Sequence, residues 1–112
     1  MRLTLAMALM SLLVACKSDV PDLGRDLPPN FSDGERVFDQ RVKARFPIGM
    51  SESELIAELQ REGFDLRPSV DDVQDASFVR SQLIFQTIWS VRWRATAGAV
   101  SEVWGVYGGR AP

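Results

Sequence analysis

Histidine is absent from the 112 residues, and cysteine occurs once, at Cys16. Without an imidazole there is no Ser-His or Cys-His nucleophile pair and no ordinary zinc site. A glycine-rich phosphate loop is also missing, because Gly105, Gly108 and Gly109 end a predicted strand with no helix after them. The net charge is −2, which lacks the cationic excess of a nucleic-acid binder. The uncharged N-terminal run, residues 3–15, has thirteen residues, of which only Thr4 and Ser11 are polar, short of the roughly 20 apolar residues that span a bilayer. Asp71, Asp72 and Asp75 cluster without the D-x-[DN]-x-[DN]-G pattern of a calcium loop. Paired carboxylates remain as a formal route to catalysis, but the acids fall on predicted helix surfaces or in that acidic stretch. The expectation is a chain that is not an enzyme, with no cofactor, no metal and no nucleic-acid partner.

The N-terminus is more informative. Arg2 precedes the apolar run, which closes on Leu13-Val14-Ala15-Cys16. A basic start, a short apolar core and a small residue at the cut read as a signal peptide over residues 1–15. A cysteine directly after Leu-Val-Ala turns secretion into lipoprotein processing, with Cys16 lipidated. The mature chain then carries 12 basic and 15 acidic residues. Two or three acyl chains hold a protein on a membrane where one is marginal. Acylation also removes the one thiol, so no disulfide is expected. Lys17 differs from the Asp that retains Gram-negative lipoproteins in the inner membrane. The expected site is therefore the periplasmic face of the outer membrane.

Residues 16–30 read as a flexible tether, with Pro21, Gly24, Pro28 and Pro29 among aspartates. Its reach as a random chain is roughly 20 Å. One domain is expected over residues 31–112.

Ser32-Asp33-Gly34-Glu35 has capping-box spacing and predicts a first helix to about Arg45, stopped by Pro47. Ser51-Glu52-Ser53-Glu54 is a second capping box, with Met50 placed to staple on Leu55. Gly63 then predicts a left-handed helix end with Phe64 on Leu59, giving a helix over residues 52–62. Residues 66–75 read as a polar loop. From Ala76 the period becomes two. Residues 78–82 predict one strand, and residues 88–95 another, with Trp89, Val91, Trp93 and Ala95 on one face and Ser90, Arg92 and Arg94 on the other. Thr96-Ala97-Gly98-Ala99 predicts a turn, and residues 100–107 a third strand. Two registers are open there. Strict alternation groups Val100 with Glu102, Trp104 and Val106, whereas a bulge near Ser101 groups it with Val103, Gly105 and Tyr107.

This order predicts an α+β fold, two N-terminal helices on one face of a three-stranded antiparallel meander. Its core would be Phe38, Val42, Leu55, Ile56, Leu59, Trp89, Val91 and Trp93. A lipobox, a Pro-containing tether, Gly49-Met50-Ser51-x-x-Glu54-Leu55 opening the second helix and three late strands together resemble the BamE (SmpA/OmlA) family. These are small outer-membrane lipoproteins accessory to the machinery that inserts β-barrel proteins. The likeness covers residues 45–107 in layout and that one stretch in motif. The family usually follows this helix with a Gly-x-Pro turn, where this chain has Gly63-Phe64-Asp65, and the Trp89-x-Val91-x-Trp93 strand has no counterpart in its pattern. The resemblance implies the fold and an accessory role in assembly, and transfers no partner-binding residue.

The functional expectation is a lipid-anchored adaptor that docks an envelope protein. Its surface would be the sheet face away from the helices, carrying Arg80, Arg92 and Arg94 with one of Trp104 and Tyr107. Arginine and aromatic residues are enriched in interface hot spots. The bland alternative is a solvated face on which arginine stems cover the sheet. A second functional reading is a protein that binds a small ligand, or inhibits an enzyme, through a groove between helices and sheet.

Overall fold

The second helix, α2 (Glu52–Arg61), has both ends written into its own sequence. The Ser51 hydroxyl accepts from the Glu54 N–H, and Gly63 takes φ +95°. Phe64 N–H donates to Leu59 and Gly63 N–H to Gln60, both at 3.0 Å. This double closure needs a residue in the left-handed region, which glycine adopts without steric cost. The first helix, α1 (Phe31–Arg45), starts two residues earlier than its capping box implies. Asn30 is the N-cap, accepting from Asp33 N–H, and Ser32 lies inside the first turn.

The computed structural model describes residues 19–111. The expected signal peptide, Cys16 and Lys17 lie outside the described residues. The architecture is α+β, with two helices and an antiparallel sheet, but the sheet has four strands rather than three: β1 (Asp65–Val70), β2 (Val73–Gln82), β3 (Phe85–Thr96) and β4 (Ala99–Arg110), in the order β1-β2-β3-β4. The extra strand is the stretch read as a polar loop. Asp71 and Asp72 both take positive φ, 52° and 64°, and make a two-residue hairpin turn closed by the Val70–Val73 pair. Aspartate tolerates this geometry because its side chain can bond its own backbone. β1 escapes a periodicity reading because it is an edge strand exposed along its whole length and interrupted by Pro68.

The third predicted strand takes the bulged register. Arg94 pairs with Glu102 and Ala95 with Val100, so Ser101 is the extra residue. Val100, Val103 and Gly105 are consequently buried. All the expected core residues are buried except Ile56, which is partly buried against the same cluster. Phe46, Phe64, Phe78 and Leu23 join them.

Leu23 overturns the reading of residues 19–30 as a free spacer. Pro21 is fully buried, and Asp22–Gly24 forms a 3₁₀ turn. The Leu23 carbonyl accepts from Arg41 at 3.1 Å, and its N–H donates to Glu62 at 3.2 Å. Gly24 lies so close to Trp89 that an added Cβ would sit 2.4 Å from the indole nitrogen. The segment is therefore part of the domain, held by apolar burial that composition alone does not reveal.

Candidate functional site

Strand pairing sorts the predicted surface residues by face, because directly paired residues share one. Trp89 pairs with Phe78 and with Tyr107, and all three point toward the helices. Arg80, two residues after Phe78 on the same strand, therefore stands on the helix side, away from Arg92 and Arg94. Tyr107 is also on that side, with its ring 5.8 Å from Trp89, 5.1 Å from Phe31 and 6.5 Å from Phe38. The two placements have different causes. Arg80 follows from alternation with Phe78 along an unbroken strand, whereas the face of Tyr107 depends on the Ser101 bulge, which decides between the two registers open in the sequence.

Arg92, Arg94 and Trp104 do come together on the uncovered face. One row crosses all four strands there, Arg67–Asp75–Arg92–Trp104. The next row contains Ser77 and Ser90, whose hydroxyls bond each other at 2.9 Å and are buried. A groove of about 430 Å³ opens at Asp75, with Pro68, Val70 and Val73 on one side and Arg92, Arg94 and Trp104 on the other. Trp104 also borders a second cleft of about 550 Å³, next to Phe46 and the exposed Ile48. The indole is thus a ridge between two depressions.

Charge on this face is balanced rather than cationic. Arg94 holds Glu102 at 2.6 Å. The nearest approach of Arg92 to Asp75 is 3.9 Å, an ion pair beyond hydrogen-bond reach. Asp75 Oδ1 is buried and has no hydrogen-bond donor among the described residues. Burial pushes the Asp75 carboxyl above its usual range, opposed by the Arg92 and Arg67 guanidiniums and the Ala76 N–H. Asp75 was read from the sequence only as part of an acidic loop. Its site character comes from β1 folding back beside it.

The sheet edges are closed to strand addition. Gly105 N–H on the outer edge of β4 donates to Asp39 at 2.9 Å, and Tyr107 N–H to Glu35 at 3.2 Å. Residues 49–52 cover the start of β4 through bonds from Gly49 to Val100, Val100 to Met50 and Glu52 to Gly98. On the far edge, β1 has Pro68 and a bulge between Arg67 and Val70, devices that blunt edge pairing.

The interface between helices and sheet is filled by Phe38, Val42, Leu55, Leu59, Val91 and Trp93, all at most 1% exposed. The space that the small-ligand reading requires is thus occupied by side chains. Among the described residues no group of three His, Cys, Asp or Glu side chains is placed to hold a metal, and no helix is long and apolar enough to cross a membrane. No family model matches the chain, and neither do curated proteins or solved structures.

Proposed function

We propose that this chain is a lipid-anchored binding module of the bacterial cell envelope, held at the periplasmic face of the outer membrane through Cys16. It docks a protein partner on the open sheet face and acts as an adaptor accessory to outer-membrane protein assembly, as its resemblance to the BamE family implies. The observation that carries the docking reading is the row Asp75–Arg92–Trp104. There a buried carboxylate oxygen without a donor stands beside a half-exposed indole and an apolar wall. A partner that offers an apolar side chain to Trp104, Val70 and Val73, and an N–H or O–H to Asp75 Oδ1, satisfies both features. The protected edges favour recognition across the face over addition of a strand.

Photo-crosslinking in intact cells tests this reading. Probes on the open face should yield discrete adducts, and Arg92→Glu/Trp104→Ala should lower them at least tenfold without changing protein level. If every specific adduct survives those substitutions, this face is not the interface. The anchor has its own test. Cys16→Ser should lose processing and leave the outer-membrane fraction, and unchanged fractionation would remove the lipid from the reading.

A further inference from the structure

Residues 20–25 sit against the domain as a bound peptide would. Pro21, Leu23 and Gly24 are buried, while Asp22 and Arg25 are exposed. The groove around them is built from three elements that follow later in the chain. Arg41 on α1 donates to the Leu23 carbonyl at 3.1 Å and to the Arg25 carbonyl at 2.6 Å. Glu62 at the end of α2 accepts from the Leu23 N–H at 3.2 Å. Trp89 on β3 lies so close to Gly24 that no Cβ fits between them. All three hydrogen bonds run between groove side chains and main-chain groups of the segment. They hold a backbone shape, and the buried positions select the side chains. Asp22 and Arg25 pair only with each other, at 2.9 Å.

The fit is incomplete. Trp89 is 3% exposed, and its Nε1 has no hydrogen-bond partner among the described residues. A buried indole N–H ordinarily finds an acceptor, but the segment offers this one only a glycine Cα–H. Asp26, directly behind the segment, takes φ +54°, a strained conformation for a residue with a Cβ. A depression of about 450 Å³ lies beside Asp22 and Leu23, bordered by Arg41, Ala44 and Arg45. It leaves room for a bulkier ligand.

We propose that this groove is a peptide-binding site occupied in cis by residues 20–25. Its ligand is a segment of a partner protein carrying Pro, any residue, an aliphatic residue and Gly in succession. Being joined to the domain gives the resident segment an effective concentration on the order of millimolar. A partner displaces it by supplying the bond it lacks, a carbonyl aimed at Trp89 Nε1, and by letting Asp26 relax. The groove lies on the helix side of the sheet, apart from the open face, and its use does not involve Cys16.

The test uses the full chain and two synthetic peptides capped at both ends. One has the sequence of residues 19–27. The other keeps only the counterparts of Pro21, Leu23 and Gly24, with Ser or Ala elsewhere. Gly24→Ala releases the resident segment through its clash with Trp89, and Leu23→Asp releases it through a charge that cannot stay buried. In calorimetry both peptides should bind each variant at least tenfold more tightly than wild type, where the resident segment competes. The Trp89 indole N–H resonance should shift on binding. Alanine for the peptide leucine, or Arg41→Ala in the released chains, should lower affinity about tenfold. No binding of the first peptide to either variant, with α2 and β3 still protected from hydrogen exchange, overturns the site. Binding of the first peptide but not the second overturns the partner, because the groove then accepts only its own segment. A wild-type dimer that Leu23→Asp dissociates would also overturn it, assigning the groove to a second copy.

Discussion

Asp75 shows how one residue can work against stability and for recognition. Its carboxyl is desolvated by the strands around it and lies above the usual range despite Arg92 and Arg67. A carboxyl raised by folding favours the fold when protonated. That stabilisation is complete below the ordinary value of 3.8 and is lost as pH climbs through the raised folded-state value. At neutral pH the ionised group therefore opposes folding. Asp75→Asn is expected to stabilise the protein there, by no more than about 1 kcal/mol at this partly exposed site. The gain should fade as pH falls through the carboxylate range. Urea melts of both proteins at neutral and acid pH check this. The same substitution should weaken the proposed docking, because it replaces a charged acceptor by a neutral one. Trp104 was readable as an aromatic that would join Arg92 and Arg94 under one of two registers. Arg80 was misplaced although a signal existed, since it lies two residues from Phe78 and so shares the face of an apolar side chain.

At the scale of elements, α1 does more than bury an apolar stripe. Asp39 and Glu35 lie on its flank and accept from β4 N–H groups that a sheet edge would otherwise present to another chain. Asp39 also pairs with Lys43 at 3.0 Å, the i,i+4 pair visible in the sequence. Its bond to Gly105, sixty-six residues away, was not visible. Asp39→Ala should cost about 1–3 kcal/mol by leaving a part-buried donor unsatisfied, and Asp39→Asn, which keeps an acceptor, should recover most of it. Denaturant unfolding measures both. The alanine variant should also self-associate more readily in sedimentation, because it reopens the β4 edge. By contrast, α2 was legible at both ends. Capping groups and a C-terminal glycine act over a few neighbouring residues and need no tertiary partner.

For the whole molecule, the packing of the N-terminal segment bears on the proposed anchor. A tether running to residue 30 would let an anchored domain roam. A segment clamped from Pro21 by Arg41, Glu62 and Trp89 would keep such a domain close. Trp89 Nε1 is buried under this segment without a hydrogen-bond partner among the described residues, so the clamp carries a built-in cost. Gly24→Ala places a Cβ 2.4 Å from that nitrogen. It should detach the segment at a cost of about 1–3 kcal/mol. Hydrogen exchange should then accelerate at Leu23 and Gly24 while α2 and β3 stay protected. Equal protection across the segment in both proteins would show that Trp89 moves instead.

Local chemistry in the sequence determined α2 with its two caps, the body of α1, the Thr96–Ala99 turn and the inward face of β3. Each depends on propensity, side-chain capping or alternation within a few residues. It also confined the third strand to two registers. Only the tertiary structure decided between those registers, because the Ser101 bulge buries Val100 and Val103 together. Tertiary structure alone made a strand of residues 65–70, through a paired partner and an Asp-Asp turn. It also put Tyr107 on the helix side and packed Leu23 and Leu27 against the core. These outcomes depend on burial and hydrogen bonds between residues far apart in the chain, and no local pattern encodes which distant partner a segment will meet.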